Sequence, residues 1–153
     1  MGEILRKATA RGGSMSGGDD HGVGTAASFS GPMGIAADGR GNLYVNDVDA
    51  HTIRKVVIAT RTVTMIAGVA GTPGSADGVG TAALFSTDFT NQNIRAYGLD
   101  TGRVSTLAGA LGEQGANDGV GVAAHFSVPL GIASDSSGTV YAADLFNNAV
   151  RKL

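Results

Sequence analysis

The chain has 153 residues, a formal net charge of −2 and no cysteine. The length fits a single domain, the absence of Cys excludes a disulfide framework and a thiolate metal site, and with 16% charged residues the balance gives no support for a nucleic-acid binder's basic stripe. Glycine is the outlier, 25 residues against 3 prolines with no G-X-Y period, which means many turns.

In chain order, Met1 to Lys7 lacks the apolar core of a signal peptide. No apolar run approaches the ~18 residues of a membrane span, and there is no Asn-x-Ser/Thr acceptor, so the expectation is a soluble chain of unassigned compartment. The stretch Gly31 to Asp47 then reads as strand, tight turn, strand. Met33 to Ala37 is short and apolar, bounded by Gly-Pro and Asp-Gly, and Asn42 to Asn46 alternates around Leu43, Tyr44 and Val45. Between them, Asp38-Gly39-Arg40-Gly41-Asn42 has hairpin chemistry, because Gly supplies φ > 0. Thr52 to Ala59 and Thr62 to Ala67 are rich in β-branched residues and complete four short strands of one antiparallel sheet. Two more strands are expected near Asn93–Tyr97 and Arg103–Leu107. The opening hairpin returns as Val128 to Asp144.

The chain repeats itself. Gly22-Val23-Gly24-Thr25-Ala26-Ala27-Ser28-Phe29 comes back from Gly78 to Phe85 and from Gly119 to Phe126; Gly22 to Gly78 is 56 positions and Gly78 to Gly119 is 41. A second anchor runs from Asp47 to Ile53-Arg54-Lys55, from Asp88 to Ile94-Arg95-Ala96, and from Asp144 to Val150-Arg151-Lys152. Its spacings are 41 and then 56, so the middle copy has lost the opening hairpin and Ser86-Thr87-Asp88 bridges the gap. Small sheets at such a period fit blades of a β-propeller. Helix is disfavoured, since each interrupting Gly costs ~1 kcal/mol against Ala.

The motif Pro32-x-Gly34-Ile35-Ala36-x-Asp38-x-x-Gly41-Asn42-Leu43-Tyr44-Val45-x-Asp47, then Ile53-Arg54-Lys55 and Val63-Thr64-x-Ile66-Ala67-Gly68, resembles the NHL repeat of bacterial, plant and algal proteins. The third copy carries Pro129, Gly131, Asp135, Tyr141, Asp144 and Arg151 at the matching positions, and the middle copy Asp88, Ile94 and Arg95. The resemblance covers nearly all of residues 4–153. It implies an all-β, propeller-like array of antiparallel blades: residues 1–18 as the remnant of a preceding blade and linker, with Ile4 to Lys7 as a third strand; 19–68 as a complete blade with its lead-in loop; 69–109 as a truncated blade without its first two strands; and 110–153 as a blade lacking its last strand. About ten strands, two and a half to three blades, form an incomplete ring, because six blades need about twenty-four. The open faces and edges would seek a partner chain or another copy, or the chain is a fragment of a larger propeller.

Candidate sites are weighed against plain architecture. Gly22-x-Gly24-x-x-Ala27 matches a dinucleotide fingerprint, but it recurs at Gly78 and Gly119 and lacks a strand–helix frame, so it reads as a connection. Asp19-Asp20, Asp47-Asp49 and Asp118 offer carboxylates for Ca²⁺, yet no segment has the Ca²⁺-loop pattern, and turn-setting explains them. Asp47, Asp88 and Asp144 are expected to anchor the turn after the second strand. His21, His51 and His125 sit at different repeat positions and are expected on surfaces or loops. The two glutamates, Glu3 and Glu113, and the lack of a G-x-S-x-G elbow leave no acid/base or nucleophile candidate. Arg54-Lys55, Arg95 and Arg151-Lys152 are expected as solvated charges on a blade face. Phe29, Phe85 and Phe126 are expected in the core between blades. The function implied is a non-enzymatic scaffold for protein interaction or assembly, with no cofactor, nucleic acid or membrane; the alternatives are part of a lyase- or lactonase-like propeller holding a metal in its channel, and an RNA-binding NHL propeller.

Overall fold

A computed structural model of the chain describes residues 18–86 and 91–153. It is all-β, with antiparallel sheets that do not close on themselves. Residues 1–17 of the expected remnant 1–18, including Ile4 to Lys7, and the junction residues Thr87 and Asp88 lie outside the described residues. The chain falls into two compact units, one running to Thr87 and taking in Asp100–Arg103, the other made of Asp88–Leu99 and Val104–Leu153.

The first unit is built on a five-stranded sheet. Its strands are β1 (Gly22–Val23), β2 (Pro32–Ala37), β3 (Asn42–Asp47), β4 (Thr52–Val57) and β5 (Thr62–Gly68), in the order β1-β5-β4-β3-β2. Four of these are the strands expected from periodicity. The fifth, β1, comes from the repeated connector: Gly22 pairs with Val63 and Val23 with Thr62. Two residues are too short to show a period-2 pattern, so only tertiary pairing reveals them. The alternation of β4 is strict, with Thr52, Arg54 and Val56 buried and Ile53, Lys55 and Val57 less so. Strand β2 is exposed along its whole length.

The β2–β3 hairpin is held by one side chain. Asp38 Oδ1 accepts the backbone N–H groups of Arg40 (2.8 Å) and Asn42 (3.1 Å). Its Oδ2 accepts from Asn42 Nδ2 (2.6 Å) and Tyr44 Oη (3.3 Å). Gly39 at φ 69° lets the chain reverse within that grip. On the buried side, Phe29, Val45, Val56 and Val63 form the core, with Ala27 and Leu43 against it. This unit also carries β6 (Gly78–Val79), after which Gly80 N–H donates to Gly102 O at 3.4 Å.

The second unit contains the hairpin β7 (Ile94–Tyr97) and β8 (Arg103–Ala108), paired from Ile94↔Ala108 to Tyr97↔Val104. It also contains a three-stranded sheet, β9 (Pro129–Ser134), β10 (Val140–Asp144) and β11 (Ala149–Lys152), in the order β11-β10-β9. Among the described residues the middle repeat has no counterpart of β2 and β3, and the third repeat has none of β5. Asp135 holds the β9–β10 hairpin as Asp38 holds the first: it accepts from Ser137 N (2.9 Å), Thr139 N (3.0 Å), Ser137 Oγ (2.6 Å) and Tyr141 Oη (3.2 Å). The core here is Phe126 with Ile94, Ala108, Ala124 and Ala142. Phe126 thus joins side chains of the β7–β8 hairpin to one of β10.

Candidate functional site

An arginine-centred clasp is built twice, 97 positions apart. In the first copy the Arg54 guanidinium lies 5.1 Å from the centre of the Phe29 ring. Its Nη1 donates to Ser28 O at 3.1 Å and reaches Asp47 Oδ2 at 3.4 Å; its Nη2 donates to Asp20 O at 2.8 Å and lies 3.2 Å from His21 Nδ1. Asp47 Oδ1 in turn accepts the N–H groups of Ser30 (2.8 Å) and Gly31 (2.7 Å). In the second copy Arg151 lies 5.2 Å from the centre of the Phe126 ring. It donates to His125 O (3.2 Å), Asn117 O (2.9 Å), Asp144 Oδ2 (3.2 Å) and Asp118 Oδ1 (2.7 Å). Asp144 Oδ1 accepts Ser127 N–H at 2.6 Å.

These contacts correct two expectations. Arg54 and Arg151 are not solvated face charges: both side chains of the Arg54–Asp47 pair are 0% exposed, and Arg151 is 12% exposed over a fully buried Asp144. Burial is tolerated because each guanidinium finds two carbonyls, at least one carboxylate and an aromatic face, which replace much of its hydration, although Arg54 Nε stays buried without a partner. Desolvation pulls the Arg54 pKa down, and the charge of Asp47 opposes that pull. Nor do Asp47 and Asp144 chiefly anchor the turn after the second strand. His51 N–H to Val48 O closes that turn in the first copy. The aspartates reach back instead to the segment before the first strand; only Asp144 also touches its turn, accepting from Asn147 Nδ2 at 2.8 Å. Of the middle copy, Asp88 is outside the described residues, and Arg95 is half-buried on β7.

The remaining expected positions fall as follows. Phe29 is 5% and Phe126 0% exposed, and Phe85 is half-buried. Ile53 is half-buried and Ile94 buried. Pro32 and Gly34 lie on exposed β2, Gly131 on exposed β9, and Pro129 begins β9. Gly41, Asn42 and Tyr44 surround the Asp38 hairpin. That hairpin holds the Asp38 carboxyl at about 2, below its usual 3.8, chiefly through the Asn42 side-chain hydrogen bond; Asp135 is lowered too, first through Ser137.

The connector motif is not a phosphate cradle. Gly24–Ala26, Gly80–Ala82 and Gly121–Ala123 are single 3₁₀ turns with no helix following, so no dipole end is presented. His51, Gln92 and Asn148 occupy one repeat position and all adopt the left-handed conformation, with φ 58°, 49° and 50°. His51 is therefore a turn residue. His125 Nε2 meets Glu113 Oε2 at 2.9 Å on the surface. Among the described residues no three His, Asp or Glu side chains gather to hold a metal, and no helix is long and apolar enough to cross a membrane.

A conspicuous opening lies beside β11. A hollow of about 480 Å³ is lined by Asp118, Gly119, Ala124, Phe126, Val150, Arg151, Lys152 and Leu153. The sequence alone does not reveal this lining, since side chains about 30 positions apart meet only after the sheet forms.

No family model matches the chain, and no curated protein matches it. Solved structures do. An auxiliary nutrient binding protein from Bacteroides thetaiotaomicron matches with TM-score 0.67 at 24% identity, over 77% of this chain and 36% of that one. An auxiliary nutrient binding protein from Bacteroides ovatus matches with TM-score 0.66 at 23% identity, over 80% and 37%. A candidate phosphatase from Bacteroides thetaiotaomicron matches with TM-score 0.68 at 20% identity, over 84% and 35%. The chain thus spans little more than a third of the length of these structures. They are β-propeller-like, and the likeness establishes that fold for this chain.

Proposed function

We propose that the chain is an NHL-type propeller segment that serves as a non-enzymatic scaffold for protein interaction or assembly. The observation that carries this reading is the repetition of the arginine clasp. Arg54 with Asp47 and Arg151 with Asp144 join lead-in loops to sheets. A catalytic constellation would be singular, and these are not. The propeller-like neighbours that are described as nutrient binding proteins support a binding role on this fold. Exposed apolar residues support it too, with Met33 and Ile35 on β2 and Leu130 and Ile132 on β9 each more than half exposed. Light scattering across a concentration series tests the reading, with growth of mass expected as open surfaces find one another. A well-folded monomer that captures no protein, or stoichiometric Ca²⁺ or Zn²⁺ by elemental analysis, would sink it.

A further inference from the structure

The first arginine clasp differs from its counterpart in the third repeat at one side chain. In both, a single guanidinium nitrogen ties down the lead-in loop. Arg54 Nη2 donates to Asp20 O at 2.8 Å and lies 3.2 Å from His21 Nδ1. Arg151 Nη2 donates to Asn117 O at 2.9 Å and to Asp118 Oδ1 at 2.7 Å. The loops themselves close alike: Ser28 N–H donates to Asp20 O at 3.2 Å, and His125 N–H to Asn117 O at 3.0 Å. An imidazole therefore stands in the first copy where a carboxylate stands in the third, 97 positions on. In the middle repeat the residue at that place, just before Gly78, is Asp77.

The exchange of Asp for His changes what a proton does to the clasp. A guanidinium carries only donors. The contact of Arg54 Nη2 with His21 is a hydrogen bond only while Nδ1 keeps its lone pair, with the ring neutral and its proton on Nε2. A protonated ring donates from both nitrogens. It sets an N–H and a positive charge against Arg54 Nη2. A carboxylate undergoes no such reversal between pH 5 and 8, the interval in which histidine side chains change charge. His21 is exposed, so protons reach it from solvent. The Arg54 side chain is 0% exposed, so it has no water to take the place of a lost acceptor while the loop stays closed.

Three carboxylates also act on this corner: Asp19 and Asp20 beside His21 in the loop, and Asp47 on β3 behind Arg54. Asp19 and Asp20 are exposed, where solvent screens them, and Asp20 Oδ2 is engaged by Ser28 Oγ at 3.1 Å. They draw a proton toward His21 but do not return to Arg54 the acceptor it loses. In the third repeat acid works the other way. His125 Nε2 lies 2.9 Å from Glu113 Oε2, and protonating His125 strengthens that pair.

We propose that His21 makes the first clasp an acid-released latch. The bond to Arg54 needs the neutral ring, so it is present at high pH and lost as pH falls. Below the interval in which His21 titrates, residues 18–21 loosen from the first sheet while the Asp118 latch of the third holds.

The test is amide exchange of the full chain between about pH 8 and about pH 5, expressed as protection relative to an unstructured chain at each pH. Nitrogen NMR of the imidazole reports the state of His21. Protection of the Ser28 amide is expected to fall about fivefold or more, while that of His125 holds or rises. His21→Asp and His21→Gln each supply an acceptor that does not titrate in this interval, and both should keep Ser28 protected at the acid end. The proposal is overturned if Ser28 protection is unchanged although His21 has become protonated, or if His21 stays neutral throughout. It is equally overturned if the neutral ring carries its proton on Nδ1, if both variants lose protection as the parent does, or if Ser28 and His125 lose protection equally, which is general loosening.

Discussion

The first and third sheets are one design at two stages of completion. Both have the Asp hairpin, the arginine clasp and a Phe under the sheet. The first has β5 between β4 and β1, and its Arg54 is 0% exposed. The third has no such strand among the described residues, and its Arg151 is 12% exposed. A guanidinium buried by its neighbours depends on every partner it has; one at an open edge keeps some water as a substitute. The clasp with a fourth strand beside it is the more deeply buried of the two.

The largest expected effect breaks that comparison directly. Arg54→Ala strands buried Asp47 and should cost about 3–5 kcal/mol by urea unfolding. Arg151→Ala also strands a buried Asp144 but should cost less, because Asp144 keeps Asn147 Nδ2 as a donor at 2.8 Å and Arg151 is already 12% exposed. Equal losses at the two positions would show that β5 does not deepen the clasp. Next, Gly68→Ala places a side chain at φ 97° against backbone of the β3–β4 turn. A loss of about 1–3 kcal/mol is expected, read as a lower midpoint in the same titration.

Acid sharpens the comparison where the two sheets are most alike. Hydrogen bonding, chiefly from the Asn42 side chain, holds the Asp38 carboxyl at about 2, below its usual 3.8, and Asp135 is lowered as well, first through Ser137. A depressed carboxylate stabilises the fold above its unfolded value, and that contribution fades as pH falls from about 4 toward 2. Amide exchange in both hairpins should rise together over that interval, and Asp38→Asn should flatten the response in the first hairpin alone. The smallest effect is expected at the turn. His51→Asn installs the residue the third sheet uses at Asn148, and Asn tolerates φ > 0 well, so stability should stay within about 0.5 kcal/mol of the parent on thermal unfolding.

Strands β2 to β5 and the turn glycines were legible in the sequence, because period-2 alternation and turn chemistry are local. The repeated Gly-x-Gly motif was legible as architecture because it recurs. Its two-residue strand was not, since pairing Gly22 with Val63 requires the sheet to exist. The charges show the limit most clearly. By itself the sequence determined where each Arg, Asp and Phe recurs, and that they recur together. Only the tertiary structure decided that Arg54 is buried rather than solvated. Its stabilising partners are carbonyls of Ser28 and Asp20, 26 and 34 residues away, and every residue has a carbonyl, so no side-chain pattern announces which ones a folded chain will turn toward a guanidinium.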